Sequence, residues 1–552
     1  MAVAAVTPEV FTRKASGLVR VMSPYSAFIY NILTMGLIFP WTYLWAPAAL
    51  PGGRLFWGIL LATALEIPIA LAYVWLSTAL PRSGGDYVFQ SRVFGGFFGF
   101  TSVMSGFVIW ILQWVALSGW LMAVLGLAPL LLGLGALLPN ATLSAWGVWA
   151  TTSNGIVLIS VVNALVALLL LASGFKNYVK FQYVMWYATL ISFATMLIVL
   201  FGTSPDVAAQ RLDHFALATA GVKDFFQGAI AGAQKAGANL NPPFSLLATL
   251  LVAPIAWTSL QWATYSCEQN GEIKEARSFK NQVFIMVGSL IVTGILLAFL
   301  AVGLQKAVGT QFVHAASAGF WLGAKEAQLA GFFLWPNIIA VAVAASPLVV
   351  VLIGIGYILN SFQIVNNCYI GVTRIMVAMS LDRLLPEWFS RVHERLRTPV
   401  NAHLAYFLAS LPVIYAYNKV GGWVLLTLGV TFGCGYVFAL SALAGALLPY
   451  RAPDIYAAAP GSNYRIGGLP GVTVLGGLGF VFGGAMVLAF LFSKQLGVLG
   501  NWNFADFPKG MWAQIIAGAI IVVSALMYLA AKWTQQQRGI NVEYAFKAIP
   551  PE

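Results

Sequence analysis

Apolar residues along this chain gather into long, nearly uninterrupted runs separated by short polar stretches, without the strict alternation of a half-buried strand. A bilayer span needs about 20 largely apolar residues, and a dozen such runs can be marked. They lie at roughly 24–46, 55–80, 96–126, 153–173, 178–202, 246–267, 283–305, 336–380, 402–417, 423–448, 472–493 and 511–532. The ninth is short; the third and eighth are long enough to tilt strongly or to extend past the membrane. A transmembrane barrel would show alternating segments of about ten residues, which this sequence lacks. The pattern predicts an all-α polytopic membrane protein with both termini on the same side.

Composition agrees: 60% of the 552 residues are hydrophobic, 8% are charged, and mean hydropathy is +0.84, too apolar for a soluble core with a polar shell. With the N-terminus placed in the cytoplasm, about two thirds of the 29 Lys and Arg fall on the cytoplasmic side. The same bias accounts for the net charge of +12 through anionic lipid head groups, without nucleic acid. Arg13, Lys14 and Arg20 before the first run superficially resemble a secretory leader, but the run is too long and lacks a small-residue cleavage site, so it reads as a retained helix.

Candidate chemistry is sparse. Cys267, Cys368 and Cys434 fall in or beside spans; an odd number at such depth gives no disulfide framework, and they read as packing residues. His214, His314, His393 and His403 are not spaced for a metal site, and no hydrolase, zinc-protease or P-loop motif appears. No cofactor, metal or catalytic residue is called for, and the expectation is that the protein is not an enzyme.

Irregular backbone inside a membrane survives only where it lines a protein cavity. In "TMGLIFPW", residues 34–41, Gly36 weakens the first helix and Pro40 removes the N–H that would bond residue 36. A proline kink is one reading. The sixth run offers a partner in "APIAWTSLQWATYSCEQNGEIK", residues 253–274, where Thr258, Ser259 and Gln261 follow Pro254 among Trp257 and Trp262. Interrupted helices at matching positions of two halves point to a transporter's substrate site. Free carbonyls at a helix C-terminal end suit an ammonium or cation, and free N–H groups at an N-terminal end suit an anion.

The loops carry a family resemblance. "ALPRSGGDYVFQSRVFGGFFGF" (79–100) resembles the P-x-S-G-G-[DE]-Y loop of the amino acid, polyamine and organocation (APC) transporter superfamily. "GEIKEA" (271–276) is similar to the segment closing the sixth helix there. "NNCYIGVTRIMVAMSLDRLLPEWFSRVHERLRTPVNA" (366–402) resembles its eighth helix and following loop, and "LPYRAPDIY" (448–456) adds weaker support. The resemblance implies an amino acid permease-like carrier with the leucine-transporter fold: a cytoplasmic N-terminal segment (1–23), a first inverted repeat (24–202), an extracellular loop (203–245), a second repeat (246–448), two further helices (449–532) and a cytoplasmic tail (533–552). It implies a substrate site at Thr34, Met35 and Gly36 on the first helix and Trp257, Thr258, Ser259 and Leu260 on the sixth.

Three departures from the family pattern matter. A single Gly36 follows the bulky Met35 at the first break, Trp262 stands about where a glycine is usual, and Thr189 occupies the place of the lysine found in proton-coupled relatives. For coupling, Glu66 reads as the only acid well inside a predicted span, either a proton carrier or a group that pairs locally or meets water near the span's outer end. Asn360, Ser361, Asn366 and Asn367 offer oxygens on the eighth helix, so a proton or sodium remain alternatives, as does exchange without an ion. Trp110, Gln113 and Trp114 share a face of the third helix and are expected to wall the site or to pack. Gly84, Gly85, Asp86 and Arg82 form an expected cytoplasmic latch, with Arg374 pairing with an acid such as Asp86 or Glu272. The partner expected is a small-molecule substrate, an amino acid first, with membrane lipid and no nucleic acid. Polyamines or other small metabolites are the alternative, and a sensor or channel-like protein the rival of another class. The expected location is the plasma membrane.

Overall fold

The computed structural model of the chain describes residues 17–37, 41–329, 331–420 and 423–547; Arg13, Lys14 and Pro40 lie outside the described residues. Among those described, ten helical stretches are long and apolar enough to cross a bilayer: spans two (Leu55–Ala79), three (Gly96–Leu137), four (Ser153–Ala172), five (Phe175–Gly202), six (Leu246–Glu272), seven (Phe279–Trp321), eight (Pro347–Leu381), ten (Cys434–Arg451), eleven (Gly471–Phe492) and twelve (Lys509–Gln537). Span one is divided into Pro24–Met35 and Thr42–Ala49, and span nine is Val400–Lys419. Strand structure among the described residues is confined to a tiny ribbon, Arg465–Ile466 with Leu469–Pro470, and two isolated bridges. The chain is an all-α polytopic membrane protein.

Several boundaries move for local reasons. Span three runs on to Leu137 through π-helical turns at Met104–Ile109 and Met122–Leu127. The eighth apolar run is two helices, Pro336–Ala342 and Pro347–Leu381, each opening on a proline whose missing N–H is harmless in a first turn. The 203–245 segment folds into helices Pro205–Ala220 and Phe225–Lys235; Gly221, at φ 68°, terminates the first.

Lipid replaces water as the outer solvent, so apolar side chains face outward: Leu169 of span four is 61% exposed and Ile198 of span five 72%. Small residues carry the interior contacts. Span five lies along span eight, where a Cβ on Gly356 would come within 2.1 Å of Ser192. Span six lies along span two, and span ten along span eleven. Polar residues gather where spans one, five, six and eight meet, which is where the helices are irregular.

Both ends of the described chain reach the same end of the bundle. Val21 and Met22 donate backbone hydrogen bonds to the Glu272 carbonyl, and Lys274 returns one to Met22. The C-terminal turn Val542–Lys547 packs its Phe546 ring on Arg92 and the Gly96 backbone.

Candidate functional site

Span one stops at Met35 because Gly36 turns left-handed, at φ 72° and ψ 68°, a conformation an L side chain resists. The carbonyls of the last turn are then free of helical partners, and one of them is met from a neighbouring span. Asn360 Nδ2 of span eight approaches the Leu33 carbonyl at 3.5 Å, and Thr34 Oγ1 donates to Tyr30 O at 2.6 Å. Asn367 Nδ2 donates to that same Thr34 hydroxyl at 2.6 Å, while its Oδ1 accepts from Tyr178 of span five at 3.1 Å and from Gln363 at 2.5 Å.

Span six breaks differently. It is α-helical to Leu260 and then continues as a 3-10 helix from Gln261 to Glu272, with Gln269 off helical geometry. A 3-10 run of that length is uncommon and marks a hinge or strain. The register change spoils the regular bonding around Thr258, whose carbonyl accepts from Trp262 Nε1 at 3.1 Å and from Gln261 Nε2 at 3.3 Å. Span six is therefore re-wound at its centre, whereas the resemblance leads one to expect an unwound middle.

Between the two irregular helices lies a cavity of about 20 Å³ lined by Thr34, Ile111, Trp114, Trp262, Tyr265, Ile364, Asn367 and Cys368. Its walls are aromatic and aliphatic, with the Asn367 amide, the Thr34 hydroxyl and the Cys368 thiol and no acid among them. Trp262, one of its walls, stands edge-on to Tyr265 at 5.1 Å, Trp114 at 5.5 Å and Phe438 at 5.6 Å between ring centroids. The volume holds roughly one water, so this conformation is closed. Of the substrate residues read from the sequence, Thr34 lines the cavity. Met35, Gly36, Thr258, Ser259, Leu260 and Trp110 are buried close by in sequence but do not line it. Trp257 points to span two instead.

There it meets Glu66, whose Oε2 accepts from Trp257 Nε1 at 2.5 Å; Glu66 is fully buried and its Oε1 has no partner. Contact with water near the span's outer end is thereby excluded in this conformation. Asn366 turns its amide onto the Phe362 carbonyl of its own helix at 2.7 Å, away from the cavity wall.

The end of the bundle carries two buried ion pairs. Arg374 binds Glu272 through Nε–Oε2 at 2.7 Å and Nη2–Oε1 at 2.9 Å, with its guanidinium 4.8 Å from the Phe175 ring centroid. Arg92 binds Asp382 at 2.7 and 3.1 Å, and Tyr87 donates to the same carboxylate at 2.7 Å. Of the two acids expected for Arg374, it is Glu272 that binds; Asp86 accepts from Tyr73, Ser441 and Cys267. Arg82 is half-buried and bends its guanidinium to the adjacent Pro81 carbonyl at 3.4 Å.

Sequence reasoning missed Glu268. Glu66 is not the only deeply placed acid, because span six continues past residue 267 and leaves Glu268 fully buried. The signal was present in the unbroken "SCEQNGE", whose polarity reads as a loop. Cys267, read as a packing residue, lies 3.6 Å from Asp86 Oδ2 and 3.8 Å from Glu268 Oε1.

Comparison with known proteins covers nearly this whole bundle. The family profile described as amino acid permease matches residues 25–523, from span one into span twelve. A stretch of 87 residues is 31% identical to "Uncharacterized protein 399" of Sulfolobus islandicus rod-shaped virus 1; it amounts to 16% of this chain, which spans about a fifth of that protein's length (22%). The match points to transport of a small molecule rather than to catalysis. With apolar helices interrupted around a central cavity and a profile that follows them from the first to the last, the chain belongs to the amino acid permease family of membrane transporters.

Proposed function

We propose that the protein is a secondary active transporter that carries amino acids across the plasma membrane by alternating access, with both termini in the cytoplasm. The observation that carries this reading is the closed cavity between the left-handed stop at Gly36 and the α-to-3-10 change at Gln261. Carbonyls at the end of Pro24–Met35 favour an ammonium, and the faces of Trp114, Trp262 and Tyr265 add cation–π attraction. The acid-free wall disfavours a polyamine, whose several ammonium groups would each need a carboxylate.

At about 20 Å³ the cavity admits no amino acid until it expands, and Trp262 is the side chain whose displacement opens it. Met35, Thr258, Ser259, Leu260 and Trp110 then become the surrounding wall. Glu66 contributes to proton coupling: it is an intramembrane acid bonded to Trp257 four residues before the re-wound segment. Asn366 plays a lesser part, with its Oδ1 lacking a partner. Arg82, Asp86, Glu272 and Arg374 belong to the cytoplasmic gate.

A thermal-shift screen of the purified protein against the twenty amino acids, followed by counterflow in proteoliposomes, tests this reading, since a bound ligand stabilises by RT ln(1 + [L]/Kd). Stabilisation and saturable counterflow by one group of amino acids support it. Binding without flux would identify a sensor, and flux without saturation a channel; either would overturn it.

A further inference from the structure

The loop after span two docks on span six at a point where two acids face each other. Gly84 N donates to the Glu268 carbonyl at 2.8 Å, and Asp86 N to Glu268 Oε1 at 3.2 Å. The fit is flush, for a Cβ on Gly85 would fall 2.6 Å from Cys267 Sγ. Asp86, Cys267 and Glu268 are all completely buried, with one ligand atom of each within 4.8 Å of the others.

Two buried carboxylates this close cannot both be ionised without a cation between or beside them. Among the described residues, the groups packed around them supply none. Span two contributes Tyr73, span six Tyr265 and Cys267, and span ten Cys434 and Ser441. Gln90 of the loop helix donates to Ser441 at 2.9 Å while its own Oε1, fully buried, has no partner. The buried guanidiniums of this end are committed elsewhere, Arg374 of span eight to Glu272 and Arg92 to Asp382. Glu543, on the C-terminal turn that packs here, pairs with Lys532.

The donors are shared unequally. Asp86 accepts from Tyr73, Ser441 and the Cys267 thiol, as an ionised carboxylate should. Glu268 accepts at Oε1 from one backbone amide and shares the Cys267 thiol, at 3.8 Å, with Asp86, while its Oε2 has no partner at all. A bare oxygen is tolerable on a neutral carboxyl and far more costly on a carboxylate.

We propose that Asp86 and Glu268 form a proton-binding site within this gate: together they hold one proton, carried by Glu268, while the loop is docked on span six, and release it to water when the loop lifts away. Burial also pushes the Asp86 carboxyl above the usual carboxylate range, in the same sense. Docking is thereby linked to proton uptake, so acid on this side favours the shut gate and alkali the open one. That this face is cytoplasmic rests on the reading above; the shared proton does not.

Cys267 supplies a readout that needs no transport. In full-length protein with Cys368→Ala and Cys434→Ala, a maleimide reaches the Cys267 thiol only when the loop lifts. Below the ordinary thiol pKa of about 8.5, thiolate formation alone makes the labelling rate rise about tenfold per pH unit. The expected result is a rise of about a hundredfold per unit, one proton from the thiol and one from the acid pair, falling to about tenfold in Glu268→Gln. A tenfold rise in both proteins would overturn the proposal, as would Cys267 protection that a chelator abolishes, which would put a divalent metal in the proton's place. Should Glu268→Gln fail to fold, infrared titration of Asp86→Asn takes over: the protonated-carboxyl band must persist to lower pH only, and an unchanged band overturns the proposal. Failure of amino acid counterflow would refute the substrate reading and leave these results standing.

Discussion

Arg374, deep in span eight, holds Glu272 at the last turn of span six with two hydrogen bonds, so the end of one helix is fastened to the flank of another without water between them. Removing one member of such a pair leaves a buried charge unmet, which costs about 3–5 kcal/mol, whereas removing both does not. Arg374→Ala is therefore expected to lower the thermal midpoint sharply. Arg374→Met combined with Glu272→Gln should recover much of the loss, which a comparison of single and double variants in detergent checks.

The proton that Asp86 and Glu268 share is bound more tightly folded than unfolded, the direction in which burial moves the Asp86 carboxyl. Its contribution to stability is complete below the unfolded value and is lost as pH rises through the folded one. Glu268→Gln removes the group that carries this proton, so that loss should be absent from the variant. Thermal midpoints of the wild type and the variant as pH is raised test this, and coincident curves would contradict it.

Trp262 is the largest side chain that span six contributes to the cavity wall. Trp262→Ala should shift the amino acids giving thermal stabilisation toward larger side chains, with Thr34→Val weakening binding of all of them by about 1 kcal/mol through loss of the Thr34 and Asn367 contact. An unchanged ligand profile in Trp262→Ala would move the substrate site elsewhere.

Glu66→Gln keeps an acceptor for Trp257 and removes the titrating group. Its expected effect is transport that no longer responds to a pH gradient while amino acid counterflow persists. A wild-type pH profile in this variant would remove Glu66 from the coupling scheme.

Gly84 stands at φ 87°, and a Cβ there would lie 2.5 Å from that of Ala378 on span eight. Gly84→Ala is expected to prop the loop off span eight, and it should raise Cys267 labelling at every pH.

How much of this the sequence carries depends on the range of the interactions involved. The apolar runs, the left-handed stop at Gly36 and the Gly84–Gly85 turn are local, and each is readable from a few neighbouring residues. The site itself is made by distant contacts. Asn367 reaches Thr34 across 333 positions and Asp86 reaches Glu268 across 182, and no periodicity encodes such pairings. Glu268 was hidden for the same reason: a polar stretch stays buried only because a glycine loop, span eight and residues 21–22 cover it from elsewhere in the chain. Trp257 and Trp262, five residues apart, lie on different faces of the helix, and distant contacts decide what each meets: one reaches Glu66 and the other lines the cavity.

Residues 21–22 are joined to the Glu272–Lys274 main chain by three backbone hydrogen bonds. Those bonds behave like the teeth of a zip: any outward swing of span six must either carry this strand along or peel it away. On the alternating-access reading the segment ahead of span one is a lever on span six, and a rigid fusion placed directly before it is expected to act as a brake.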